Sequence, residues 1–145
     1  MKNFKISPIS LDSFKIIEAV IEREAKLFNN DYKNKVFLGG FSQGCGMSIY
    51  TAHNLKNEIA GLVGIAGYFF EITDVKKDRD IPTLIIHGGS DPLRPFKEVA
   101  VSYDKFIGSD KVVVVENMAH EMQTQQTRKL IGDFLASLTN NDAKL

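Results

Sequence analysis

One cysteine, Cys45, stands in the whole chain, so no internal disulfide can form and the fold must rest on a packed core. A lone thiol fits a reducing compartment. No apolar run approaches the ~20 residues that a membrane-spanning helix needs. Met1-Lys2-Asn3-Phe4-Lys5 leads into no long apolar stretch either. Neither a signal peptide nor a transmembrane segment is therefore expected, and the cytoplasm is the expected address. Charge of one sign is also missing, with 18 basic residues against 18 acidic ones, so no global field favours nucleic acid or an anionic membrane. His53, His87 and His120 show no ligand spacing for zinc and no cysteine cluster supports one, so no zinc site is expected. Repeats and low-complexity tracts are absent. What remains is an ordinary globular composition, 43% hydrophobic and 25% charged, at the length of one domain, 1–145.

Periodicity supplies the elements. Phe14, Ile17, Ile21, Ala25 and Phe28 recur at spacings of three or four and predict a helix over Leu11–Phe28, broken by Asn29-Asn30-Asp31. A short strand, Lys35–Leu38, ends in Gly39-Gly40 and is followed by a helix to Asn54. Leu62–Ala66 and Thr83–His87 read as buried parallel strands, since their apolar residues run on rather than alternate. Between them, Gly67–Asp80 reads as a loop with a solvated charged tract, Lys76–Asp80. A helix over Phe96–Ile107 is stopped by Gly108, and Lys111–Val115, rich in valine, makes a fourth strand. Thr127, Ile131, Phe134 and Leu138 share one face of a last helix, Gln123–Leu138. The ends, 1–10 and 139–145, are expected to be irregular. Alternating strands and helices predict an α/β fold, an open parallel sheet of about four strands flanked by helices.

Gly40-Phe41-Ser42-Gln43-Gly44 sits between strand and helix, the setting of a G-x-S-x-G nucleophile elbow. Small residues on either side of the serine let strand and helix approach closely. In a parallel sheet the strand-to-helix loops gather at the carboxyl edge, where open α/β proteins bind ligands. Ser42, Asp91 and His120 each follow a strand, in the chain order Ser…Asp…His that α/β-hydrolases use. The chemistry assigns roles. Ser42 is the candidate nucleophile, His120 the base that takes its proton, and Asp91 the acid that fixes the imidazole tautomer. The backbone amide of Gln43 is the candidate oxyanion donor.

At these residues the chain resembles the phospholipase/carboxylesterase family, which includes the acyl-protein thioesterases. The resemblance rests on Gly39-Gly40-Phe41-Ser42-Gln43-Gly44, on Ile86-His87-Gly88-Gly89-Ser90-Asp91-Pro92-Leu93-Arg94-Pro95 and on Met118-Ala119-His120. It implies a truncated α/β-hydrolase-like domain that cleaves carboxylic esters or thioesters through an acyl-serine, with no cofactor and no metal. Substrates would be small-molecule or lipid-acyl esters, or acylated proteins, with no nucleic-acid partner and no stable membrane insertion. Cys45 stands where the family commonly has glycine. Members of the family begin with further strands and a His-Gly loop that supplies a second oxyanion donor. Met1–Ser10 is expected to offer at most one short extended piece. Losing one such donor typically costs about 2.7–4 kcal/mol of transition-state stabilisation, so weak activity is expected, and an open sheet edge invites a homodimer or another partner.

Plainer readings stand beside these. Ser42 could sit in a glycine-rich turn, Asp91 could serve a turn or cap a helix, and His120 could be an exposed helix-start residue. Glu116 and Glu121 flank His120 as alternative acids. His87 reads as a packed histidine bonded to loop backbone, His53 as a surface residue, and Cys45 as a small buried hydrophobe. Tyr68-Phe69-Phe70 lies past a strand end and could line an acyl pocket. A rival function of another class is a catalytically impaired, non-enzymatic interaction module. Within hydrolases the rival is a peptidase.

Overall fold

In the computed structural model of the chain, residues 8–68 and 79–139 are described. Strands β1 (Phe37–Phe41), β2 (Gly61–Ile65), β3 (Thr83–Gly88) and β4 (Val112–Val115) form a parallel sheet in chain order. Among the described residues five α-helices accompany them: α1 (Pro8–Ala25), the one-turn α2 (Tyr32–Lys35), α3 (Gln43–Asn54), α4 (Phe96–Phe106) and α5 (Gln125–Thr139). This is the open parallel α/β sheet that the strand–helix alternation predicts. β2 and β3 are central and largely buried, as their unbroken apolar runs require, while among the described residues β1 and β4 are partly exposed edges.

The sheet is packed on both faces. On one, Ile21 of α1, Cys45 and Ile49 of α3, and Val99 and Tyr103 of α4 meet Leu62 and Ile85. On the other, Ile131 and Phe134 of α5 lie on Ile65, Ile86 and Val115. Each such side chain, once buried, contributes about 1.5–3 kcal/mol.

Several boundaries differ from the sequence expectation, each for a local reason. α1 starts at Pro8 rather than Leu11, so 8–10 are helical and not irregular. A proline's fixed φ suits the first turn, where its missing N–H is not needed. The β1 ladder runs through Gly39-Gly40-Phe41, beyond the expected end of the strand, because pairing with Gly61–Ile65 uses backbone groups and not side chains. α5 starts at Gln125, not Gln123. Thr124 Oγ1 accepts the Thr127 N–H at 3.0 Å while Thr127 Oγ1 accepts the Thr124 N–H at 2.9 Å, a reciprocal cap. That helix also includes Thr139.

His53 is a correction as well. It is 6% exposed rather than a surface residue. The Arg79 guanidinium donates to the carbonyls of Ala52, Lys56 and Asn57 at 3.2–3.4 Å, satisfying the end of α3. This draws the chain across that helix end, where His53, Arg79 and Ile81 line a common cavity. Arg79 is accordingly a helix cap and not part of a solvated tract. Lys76-Lys77-Asp78 of that tract, Phe69-Phe70, and the extended piece expected at 1–7 lie outside the described residues. Among the described residues no helix is long and apolar enough to cross a membrane.

Candidate active site

Ser42 is the single residue between β1 and α3, held at φ 53°, ψ −118°. A positive φ is costly for a residue with a Cβ and persists where its surroundings enforce it. Here Ser42 N–H donates to the Ile65 carbonyl at 2.8 Å, and its own carbonyl accepts from Cys45 and Gly46 of α3. Close approach of strand and helix depends on Gly40, where an added Cβ would lie 2.1 Å from the Gly44 carbonyl oxygen. Gly44 differs from expectation: a Cβ there would meet nothing within 4 Å. Cys45 is packed as a small hydrophobe, fully buried in the space that Gly64 and Gly67 leave open. Burial pushes its thiol up to about 12 against backbone hydrogen bonds from Ile65 and Gly67, so it is no nucleophile near neutrality.

The three loop residues singled out by the sequence meet at the carboxyl edge of the sheet. His120 Nδ1 donates to Asp91 Oδ2 at 2.7 Å, and His120 Nε2 lies 3.0 Å from Ser42 Oγ. With Nδ1 carrying a proton toward the carboxylate, Nε2 is the free acceptor that faces the hydroxyl. The Phe41 ring sits 4.9 Å from the His120 ring and flanks it. Asp91 is 3% exposed. Burial alone would raise its pKa, but hydrogen bonds from His120 and from the Arg94 and Leu93 amides outweigh that and hold it below the usual carboxylate value. Both amides donate to Oδ1 at 2.9 Å, leaving Oδ2 for the imidazole.

The acid and histidine loops are fastened to each other. Gly89 N–H donates to the Val115 carbonyl at 2.8 Å, Ser90 N–H to that of Met118 at 3.1 Å and Ser90 Oγ to that of Glu116 at 2.8 Å. Glu116 is exposed, and the Glu121 carboxylate accepts the Ala119 N–H at 3.2 Å, so His120 Nδ1 goes to Asp91 and not to the flanking glutamates. His87 is fully buried, with Nε2 donating to the Arg94 carbonyl at 2.7 Å, the packed role that its place at a strand end suggests. Its second neighbour, Tyr103 Oη at 3.2 Å, comes from α4 and carries no sequence signal beyond a core-facing helical position. Tyr68 packs under the Arg94 guanidinium, 4.1 Å from ring centre to Cζ. Gln43, exposed, is the first residue of α3, so its backbone N–H is one of those that a helix start leaves without an intrahelical acceptor. Among the described residues no cluster of His, Cys, Asp or Glu is arranged to hold a metal ion.

The phospholipase/carboxylesterase family model matches residues 4–138. Acyl-protein thioesterase 1 homolog 2 of Dictyostelium discoideum is 28% identical over 134 residues, covering 85% of this chain and 60% of its own length. Acyl-protein thioesterase 1 of Yarrowia lipolytica is 30% identical over 115 residues, covering 74% of this chain and 50% of that protein. Among solved structures, esterase PE8 superposes with a TM-score of 0.74 at 19% identity, over 89% of this chain and 61% of that one. Arabidopsis thaliana SOBER1 gives 0.66 at 20% identity, over 89% and 64%. The chain thus spans about 50–60% of the length of these thioesterase relatives. With an elbow serine, an imidazole and a buried carboxylate in hydrogen-bonding sequence, and a family model matched along nearly the whole chain, this protein belongs to the phospholipase/carboxylesterase family.

Proposed function

We propose that the chain is a serine hydrolase acting on carboxylic esters or thioesters through a covalent acyl-serine. One observation carries the reading: the unbroken hydrogen-bond path from Asp91 through His120 to Ser42, with contacts of 2.7 and 3.0 Å. As Ser42 Oγ attacks the acyl carbonyl, its proton passes to His120 Nε2, and the imidazolium is stabilised by Asp91. Collapse of the tetrahedral adduct breaks the bond to the leaving alcohol or thiol, which takes that proton. Water then attacks the acyl-serine by the same route and releases the carboxylic acid. The Gln43 amide, at the positive end of α3, donates to the oxyanion. Gly44, beside it, leaves open space.

Substrates in this reading are small-molecule or lipid-acyl esters and thioesters, including acylated proteins, and the setting is cytoplasmic. The test is covalent labelling by a fluorophosphonate together with turnover of a short p-nitrophenyl ester. Wild type should do both and Ser42→Ala neither. A wild-type protein that does neither removes the enzymatic reading. A p-nitroanilide run alongside separates an esterase from a peptidase.

A second reading is favoured by one feature. Among the described residues β1 has a strand partner on only one side. Beside it, Phe37, Gly39, Phe41, Val63, Ile131 and Leu135 line an apolar groove of about 620 Å³. In this reading the edge of β1 pairs with a second copy or another chain, and the protein serves as an interaction module. Pairing with a second copy requires a concentration-dependent mass in light scattering, and either form of the reading requires no activity difference between wild type and Ser42→Ala.

A further inference from the structure

The acid of the Ser–His–Asp constellation is held by the Leu93 and Arg94 amides, and a second histidine holds the carbonyl of Arg94. Arg94 N–H and Leu93 N–H each donate to Asp91 Oδ1 at 2.9 Å, and the pair leaves Oδ2 facing His120 Nδ1, 2.7 Å away. The Arg94 carbonyl accepts His87 Nε2–H at 2.7 Å. A carbonyl can only accept, so the proton on Nε2 is fixed. On the far side of the His87 ring, Nδ1 lies 3.2 Å from Tyr103 Oη, which donates to the Gly67 carbonyl at 2.7 Å. His87 and Tyr103 are 0% and 1% exposed, and the Phe96 ring lies 5.7 Å from the imidazole. These contacts join the loop after β2, α4, the end of β3 and the acid loop, with the single Tyr103 hydroxyl proton serving either the Gly67 carbonyl or His87 Nδ1.

We propose that His87 is a positioning residue: by holding the Arg94 carbonyl it fixes the backbone of Arg94, whose N–H helps set the orientation in which Asp91 meets His120. The inference rests on the hydrolase reading for its kinetic consequence, but not for the geometry. His87 Nε2 is 3.7 Å from Asp91 Oδ2, outside hydrogen-bonding range, so it does not replace His120 as the carboxylate's partner. Desolvation lowers the pKa of His87 against the pull of the Arg94 carbonyl and of Asp91. A neutral His87 leaves the Asp91 charge to the imidazolium that forms during turnover.

The two ring nitrogens can be separated by amide substitution. In His87→Gln the longer side chain can place an N–H where Nε2 stands and keep the bond to Arg94, whereas in His87→Asn the shorter amide reaches only toward Tyr103. His87→Gln should keep kcat within about threefold of wild type. His87→Asn and His87→Leu should lose about tenfold to a hundredfold in kcat with KM nearly unchanged, the scale of a small misplacement at a catalytic group. A readout independent of turnover is the low-field proton resonance of His120 Nδ1–H. It should persist in His87→Gln and broaden or move upfield in His87→Asn. If folded His87→Asn keeps the wild-type kcat and resonance, or if His87→Gln is as impaired as His87→Asn, the proposal is overturned. Should Ser42→Ala turn over ester like wild type, the hydrolase reading fails, and the resonance alone still decides the role of His87.

Discussion

On the β3–β4 side of Ser42, the acid and histidine loops are cross-tied by backbone and side-chain hydrogen bonds, and Asp91 has both oxygens engaged. On the β1 side, the strand has one neighbour among the described residues, Gly39 is exposed, and an apolar groove runs along its face. The first half is held by a dense set of hydrogen bonds between neighbouring loops. The second offers the start of α3 and a strand edge with few such ties among the described residues. The order around Asp91 and His120 comes from strands that follow one another in sequence, and it does not extend to β1.

The sharpest way to break this comparison is to damage the ordered half without moving it. Asp91→Asn can keep its oxygen on the Leu93 and Arg94 amides and turn its NH₂ toward His120, which forces the wrong imidazole tautomer. A loss of about 10⁴ in kcat is expected, with little change in melting temperature, read by ester turnover and calorimetry. A loss of tenfold or less would mean that Asp91 is not the orienting acid.

The open half is probed by Gly39→Lys, which sets a charge on the exposed face of β1 where a Cβ meets only ordinary contacts, the nearest 3.4 Å away. If the edge pairs with a second copy, the dissociation constant measured by sedimentation should rise at least tenfold, as charges on edge strands oppose pairing. Intrinsic turnover by the isolated chain should stay within about twofold, because the substitution leaves the Asp91–His120–Ser42 path untouched. A dimer of unchanged affinity would place the contact elsewhere.

A smaller effect comes from acid. Native His87 resists protonation, whereas an unfolded histidine titrates near ~6.5. Below that pH the unfolded chain binds more protons, so stability falls as pH drops from about 6.5 toward the lowered native value, and nothing is lost above it. Asp91 and His120 across the loops and Tyr103 on α4 are the titratable groups that face the ring. Denaturant melts of wild type and His87→Gln across this window should show a shallower slope in the variant. Parallel slopes would show that His87 titrates alike in both states.

Smallest of all is Arg79→Ala, which leaves the carbonyls at the end of α3 to water. About 1 kcal/mol of stability should be lost with no change in turnover, read by chemical denaturation. An activity loss there would show that the two ends of α3 are coupled more tightly than its hydrogen bonds indicate.

Much of the fold was legible because its causes are local. Four consecutive valines, the apolar runs at 62–66 and 83–87, and the elbow glycines each identify an element within a few residues. The errors are of one kind. The extension of β1 into Gly39–Phe41 is a matter of pairing with β2, and the start of α5 is set by a reciprocal cap between Thr124 and Thr127. The burial of His53 depends on Arg79, distant in the chain, reaching back to cap a helix. None of these is written in hydrophobic periodicity.

The sequence by itself determined that this chain is an α/β protein with Ser42, Asp91 and His120 each past a strand, because spacing and turn chemistry act over short stretches, and its motifs resemble those of the phospholipase/carboxylesterase family. Only the tertiary structure decided that an imidazole 78 residues from the serine lies 3.0 Å from its oxygen. It also decided that His87 and Tyr103 stand behind the acid loop. Such contacts depend on sheet register and on which helix covers which face, quantities fixed by packing across the whole domain rather than by any segment of it.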